Sequence, residues 1–458
     1  MKMAKLTDEQ QYIRMTETPV AKLVTSMAVP TVGGMLVSSV YNVTDTFFVS
    51  QLGTSASAAV GVVFSVQSLI QAVGFTLAMG SGSMISRRLG QKDTESACRF
   101  VSTSFLMAFV CGALLGLFGM LFLEPMMRLL GSTDTMLPYS TDYARYILVT
   151  APIFAASFVL NVAMKSQGRA TLSMLGLMAG NLLNMVLDPL FIFGLKMGTS
   201  GAALATAVSQ WVSFGALLWF FLKKQDTLRI LPRYISRDIH DYITIVRVGS
   251  PTLCRQGCGS LASALLNNRA MAFGDAAVAA MSIANRIYNI VRSVLVGIGQ
   301  GFQPVAGFNY GAKRPDRVKA AFRFTVVLGT AVACCAAALL AVFAPQLMAL
   351  FRRDDPEVIR MGSLALRMLC AVLPLLGYST YVNQMLQCLG RSGQATFLAS
   401  CRQGTLYVPL ILTLPLMLGI TGIQLTQPIA DGLTFLVSIP FHIWFFRSPN
   451  GLKKCENG

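Results

Sequence analysis

Charge is what this sequence has least of. Asp, Glu, Lys and Arg make up 12 % of its 458 residues, about half the ~25 % usual in a soluble domain. With 54 % hydrophobic residues beside that shortage, a water-soluble globular protein is excluded. Histidine is nearly absent, with only His240 and His442 in the chain, which argues against a histidine-based metal centre. The ten cysteines follow no metal or disulfide spacing. Cys254 and Cys258 are four apart and Cys334 adjoins Cys335, all in apolar stretches, so they read as small buried residues. The first 18 residues are polar and contain no short apolar core followed by small residues; no removable signal peptide is expected.

What the sequence does have is apolar runs of membrane-crossing length, roughly 20 residues each. They fall at about 22–52, 56–82, 97–122, 139–163, 170–196 and 199–223, then 242–272, 276–303, 317–346, 362–387, 393–418 and 420–446. The expected fold is an all-α polytopic membrane protein with twelve transmembrane helices. The net charge of +17 is concentrated in alternate loops: Arg87, Arg88, Lys92 and Arg99; Lys223 through Arg247; Lys313, Arg314, Arg317, Lys319 and Arg323. The other loops, "LGTSA", "KMGTSG" and "GITG", are nearly free of basic residues. That asymmetry places both termini in the cytoplasm. The basicity therefore reports topology, and no nucleic-acid partner is expected.

The chain is internally duplicated. Pro30-Thr31 matches Pro251-Thr252 and Gly90-x-Lys92 matches Gly311-x-Lys313, both at an offset of 221. Gly168-Arg169 matches Gly390-Arg391 at 222, and Gly198-x-x-Gly201 matches Gly419-x-x-Gly422 at 221. Six spans per copy send both halves into the membrane in the same direction, a transporter arrangement with the substrate route between the halves. The expected divisions are an N-terminal tail (1–18), a first lobe (19–223), a linker (224–241), a second lobe (242–446) and a C-terminal tail (447–458). The linker mixes apolar and basic residues and suits either an amphipathic interfacial helix or a plain tether.

Only three of the 20 acidic residues fall well inside spans: Asp45, Asp188 and Asp431. An ionisable group there costs at least ~2.5–3.5 kcal/mol on insertion scales, so each calls for a partner or a task. Counting from Gly53 and Gly198, Asp45, Asp188 and Thr206 lie roughly 12–15 Å below the outer boundary. Tyr41 shares a helix face with Asp45, and Asn184 with Asp188, by i, i+4 spacing. The all-oxygen set of Tyr41, Asp45, Asn184, Asp188 and Thr206 suits a hard cation, with Na⁺ expected at Asp45, Asn184, Asp188 and Thr206, or a carboxylate pair holding one proton. A polar network that only pins the helices is the competing reading. At the equivalent positions of the second half stand Leu266, Pro409 and Gln427, so the acidic chemistry was not duplicated. Arg255, Arg286 and Arg402 fall in its spans, and an ion pair is the favoured fate of Asp431. "GIGQG", 297 to 301, is read as close helix packing, and "RRDDPE", 352 to 357, as a solvated turn.

"PTVGGMLVSSVYNVTDTFFVSQLG" in the first span and "NLLNMVLDPLFIFGLKMGTSGAALATAVSQ" across the fifth and sixth resemble the multidrug and toxic compound extrusion (MATE) family, DinF-type branch. The resemblance covers nearly the whole chain. It implies two six-helix lobes forming a V-shaped central cleft, and export of drugs or toxic organic compounds in exchange for inward H⁺ or Na⁺. It also implies a first-lobe cation site at Tyr41, Asp45, Asn184, Asp188 and Thr206. The NorM-type acids of the seventh and tenth spans are missing; Arg255, Gln256, Tyr378 and Asn383 stand in that region. No enzyme activity and no cofactor beyond the coupling ion are expected. The expected setting is a monomer among the lipids of the cell membrane, with Asp431, Arg255 and Arg402 as polar residues of the second lobe or cleft. A lipid-linked oligosaccharide flippase of the same superfamily is the alternative, kept open by Arg255, Arg269 and Arg286.

Overall fold

The computed structural model describes residues 8–223, 228–351 and 355–447, and among them there is helix and no strand. A short helix α1 (Asp8–Glu17) precedes α2 (Val20–Ser50), α3 (Thr54–Gly90), α4 (Thr94–Leu121), α5 (Leu123–Leu129) and α6 (Leu137–Ser166). Helix α7 (Ala170–Pro189) runs into a π-helical turn, Leu190–Gly194, before α8 (Gly198–Lys223). The second half holds α9 (Ile239–Met271), α10 (Asp275–Gly311), α11 (Pro315–Val342), α12 (Ala344–Phe351) and α13 (Pro356–Cys388). Helix α14 (Ser392–Ser400), a π-helical turn Cys401–Thr405 and α15 (Tyr407–Leu418) form one interrupted span before α16 (Ile420–Arg447). Ten helical segments are long and apolar enough to cross a membrane. Helices α9 and α10 match them in length, at 33 and 37 residues, but are too polar to join that set. Their polarity is treated below.

The loops carry the duplication into three dimensions. Lys92 and Lys313, which occupy equivalent positions of the two repeats, both adopt the left-handed region, at φ 61° and 57°. Gly198 and Gly419 both have φ 59°, Gly53 and Gly274 have 109° and 91°, and Gly168 and Gly390 have 77° and 83°. An L side chain resists that conformation, so two lysines adopting it at one repeat position mark the same turn built twice. Helices α3 and α10 run beyond the span ends expected from hydropathy, to Gly90 and Gly311. The small residues that dilute their hydropathy are packing contacts. A Cβ on Gly82 would strike Val162, and one on Gly301 would lie 2.5 Å from the Ala28 backbone. The packing reading of "GIGQG" agrees with that geometry.

Two compact units result: Met1–Glu17 with Gly33–Gly249, and Thr18–Val32 with Ser250–Gly458. The divisions therefore fall inside α2 and α9, next to Pro30-Gly33 and Gly249-Pro251, and not in the linker. In the first unit α6 is central, packing on α3, α4 and α8, with Ala151, Ala155, Ala156 and Val159 fully buried. Helix α4 approaches it through Gly112 and Gly116, whose added Cβ atoms would each sit 2.6 Å from an α6 carbonyl oxygen. In the second unit α13 holds the matching place, against α10, α11 and α16, around Leu366, Leu369, Leu373 and Tyr381.

The linker does not form the interfacial amphipathic helix that its composition allows. Beyond residues 224–227, which lie outside the described residues, it is an extended strap with one 3-10 turn, Pro232–Tyr234. The strap satisfies its backbone on α4. Ser102 Oγ donates to Arg229 O at 3.2 Å and accepts from Leu231 N at 3.3 Å, while Ser236 N donates to Thr103 Oγ1 at 2.9 Å. Pairing with α4 hydroxyls replaces the i→i−4 bonds a helix would have made. The N-terminal α1 likewise docks in the first unit, with Met15 buried under Gly168 and Lys92 Nζ 4.5 Å from the Tyr12 ring centroid. Of "RRDDPE", residues 352–354 lie outside the described residues. Asp355 caps α13, accepting from Glu357 N and Val358 N at 3.1 and 3.2 Å.

Candidate functional site

The expected oxygen set meets inside the first unit. On α7, Gly176, Gly180, Asn184 and Asp188 recur every four residues and all are buried, forming one face. The two glycines let α8 approach. A Cβ at Gly176 would collide with Leu217, and one at Gly180 would lie 2.6 Å from Ser209 O. One turn further along the same face, Asn184 Nδ2 donates to Thr206 Oγ1 at 3.3 Å. Asn181 Nδ2 donates to Ser38 Oγ at 2.8 Å and ties α7 to α2. On α2, Asp45 lies within electrostatic reach of Asp188. Tyr41 lies in the field of both acids.

Asp188 is fully buried, Asn184 is 1 % exposed, Thr206 2 % and Asp45 8 %. Asp188 Oδ1 and Oδ2, Asp45 Oδ1 and Asn184 Oδ1 receive no hydrogen bond. Four buried oxygens without donors, two carboxylates among them, form an electron-rich pocket that lacks a positive partner. Such a donor set fits a hard cation or a shared proton.

Sequence reasoning missed Tyr143. It comes from α6, is 3 % exposed and lies in the field of Asp45, Asp188 and Tyr41. Its place near the start of α6 reads as an ordinary interfacial tyrosine, and only packing brings it to the acids.

The second unit carries different chemistry. Asp431 on α16 is fully buried and pairs with Arg402 Nε at 2.8 Å. It also accepts from Gln427 Nε2 and Tyr288 Oη, each at 2.8 Å. Its expected ion pair is thus present, with Arg402 as partner. Arg402 is aimed by the π-helical turn at Cys401–Thr405, whose i→i+5 bonding turns side chains off the regular helix face. Arg255 lies within electrostatic reach of Arg402, and so does Arg292, which sequence reasoning passed over. Arg286, which it named instead, is exposed. The i, i+4 spacing of Tyr288 and Arg292 was the available signal. Among the described residues no group of three or more His, Cys, Asp or Glu is placed to hold a metal, and no cysteine forms a disulfide.

Helix throughout the described residues, internal duplication, membrane-crossing segments, a buried acidic site in one unit and a buried ion pair in the other together define a membrane transporter fold. The MatE family model matches residues 30–190 and again 251–413, the second match displaced by the repeat distance, and the chain belongs to the MATE family of membrane transporters, which are not enzymes. It is 27 % identical to the multidrug export protein MepA of Staphylococcus saprophyticus over 98 % of this chain and 99 % of that protein. It is 28 % identical to an FAD transporter of Shewanella oneidensis over 90 % and 92 % of the two chains. A solved outward-facing multidrug resistance MATE transporter of the MOP superfamily superposes with a TM-score of 0.90 at 26 % identity, covering 97 % of this chain and 99 % of that one.

Proposed function

We propose that this MATE transporter is a secondary antiporter of the cell membrane that exports organic, often cationic, compounds in exchange for inward H⁺ or Na⁺. Its two repeats alternate access to the substrate route, and both termini lie in the cytoplasm. The observation that carries the proposal is the set of donor-less oxygens on Asp45, Asn184 and Asp188. Two facing carboxylates in a buried site repel one another and lack solvation, so a cation is held there strongly when the site closes around it.

The residues divide the work. Asp45 and Asp188 supply charge, Asn184 and Thr206 supply neutral oxygens, and Tyr41 and Tyr143 stand in the field of the two acids. Cation arrival draws α2 and α7 together on those oxygens, and its departure restores carboxylate repulsion between the same two helices. A site that changes the fit of α2 against α7 can bias the lobes between two states, and coupling requires only that one state hold the cation more tightly. Relatives named as multidrug exporters support the organic cargo, and the MatE match in both halves favours export over the flippase reading.

Ethidium efflux from proteoliposomes under separately imposed Na⁺ and H⁺ gradients tests the proposal. One of the two gradients is expected to drive efflux. Efflux that responds to neither would overturn it.

A further inference from the structure

The second unit holds more positive charge at mid-span than its acid can balance. Arg255 lies midway along α9 and Arg292 midway along α10. Arg255 shares a helix face with Gly259, and a Cβ on Gly259 would lie 3.1 Å from Gln403 Oε1, next to Arg402. Arg292 shares a face with Tyr288, whose hydroxyl donates to Asp431 Oδ2 at 2.8 Å. The arginines are therefore gathered where α9, α10, α16 and the π-helical turn converge.

Asp431 is the only acid in that group and is fully used. Arg402 and Gln427 occupy Oδ1 and Tyr288 occupies Oδ2. Arg255 and Arg292 have no carboxylate partner and no hydrogen-bond acceptor among the described residues, yet both remain partly accessible. Accessibility has a direction. Helix α9 carries Gln256, Ser260, Ser263 and Asn267 in one stripe, and α10 carries Ser282, Asn285, Asn289 and Ser293 in another, nearly all exposed or half-exposed. Polar stripes on membrane-crossing helices belong beside water-filled space, not acyl chains. These two stripes are why α9 and α10 fall outside the apolar set. Two guanidiniums opening on water, with their forks free, make a receptor for a planar or tetrahedral oxyanion.

We propose that Arg255 and Arg292 form a binding site for the phosphate or carboxylate group of an organic anion, so that the cargo of this transporter includes anionic or zwitterionic compounds. Arg402, locked on Asp431, holds the wall of the site and does not take the anion. The idea deepens the exporter reading by naming a cargo class, but binding is measured without any gradient, so its outcome is independent of coupling.

The test titrates phenyl phosphate onto protein in phosphatidylcholine nanodiscs, with phenyltrimethylammonium as the cationic counterpart. Arg255→Gln and Arg292→Gln are each expected to weaken phenyl phosphate binding at least about tenfold. Arg286→Gln, at the exposed position on α10, is expected to leave it unchanged. Arg292→Lys keeps the charge in a folded protein but not the two-pronged fork, and is expected to recover only part of the affinity. Equal affinity in the wild type and both glutamine variants overturns the proposal, as does an equal loss in Arg286→Gln, which would mean diffuse attraction only. A second series in phosphatidylglycerol-rich nanodiscs separates the sources of the anion. Competition by that bilayer assigns the site to a lipid headgroup, and undiminished phenyl phosphate binding assigns it to a soluble anion.

Discussion

Asp188 buries both carboxylate oxygens without a donor, and the group facing it is a second carboxylate, that of Asp45. Removing one charge should therefore cost function and not folding, because the site is short of positive charge to begin with. Asp45→Asn is expected to abolish gradient-driven ethidium efflux while expression and monodispersity stay at wild-type level. Full efflux in that variant would show that the pair is only structural. Asn184 contributes an oxygen and no charge, so Asn184→Ala should keep transport and raise the required Na⁺ or H⁺ concentration by about tenfold, near the net worth of one hydrogen bond to a charge. An unchanged requirement would remove Asn184 from the site. Asp45, Asn184 and Asp188 were legible in the sequence because charged and amide groups are rare inside apolar runs, and Tyr41 and Thr206 because helix spacing and depth place them beside those acids. Tyr143 was not, since tyrosine near a span end is unremarkable and its partners belong to other helices.

At the scale of elements, α7 sets the site by how closely it approaches α8. The glycines at 176 and 180 place Asn184 within 3.3 Å of Thr206, so a branched residue there should act at a distance. Gly180→Val is expected to cost ~1–3 kcal/mol by overpacking and to reduce efflux, although it touches neither acid. Wild-type thermal stability and efflux in that variant would refute the argument. Helix α4 offers a separate check, outside the membrane core. Asp93 caps it, accepting from Ser96 N at 3.0 Å. Burial alone would raise the Asp93 pKa, but the hydrogen bonds from Ser96 and the charges of Arg88 and Arg99 bring it below 3.8. A depressed carboxylate contributes above its unfolded pKa, and that contribution is lost as pH falls through the lowered value. Asp93→Ala should therefore cost ~0.5–2 kcal/mol at neutral pH, with the gap to wild type closing in acid as the carboxylate protonates. A pH-independent gap in thermal unfolding would contradict the cap's electrostatic part.

For the whole molecule, the alternation of basic and non-basic loops gives a prediction that does not depend on any site. In a cysteine-free background, Lys92→Cys and Lys313→Cys should react with a membrane-impermeant maleimide from the cytoplasmic side only. Lys196→Cys should react from the outside only. The reverse pattern would overturn the assigned topology. The paired left-handed turns at Lys92 and Lys313 make the first two positions equivalent, so they should also label alike.

Covalent order alone establishes that the chain crosses a membrane, that it is one six-span unit written twice, and that the acids at positions 45 and 188 have no counterpart in the second copy. Hydropathy sets the spans, and a constant offset between matching motifs needs no contact to be seen. Folding settles the rest. It divides the compact units within α2 and α9 and straps the linker onto α4. It brings Tyr143 to the carboxylate pair, and it pairs Asp431 with Arg402 while leaving Arg255 and Arg292 without acceptors among the described residues. These facts depend on the rotation of each helix about its axis and on how closely its glycines let a neighbour approach. Pairwise packing fixes both, and residue spacing along one helix does not record it.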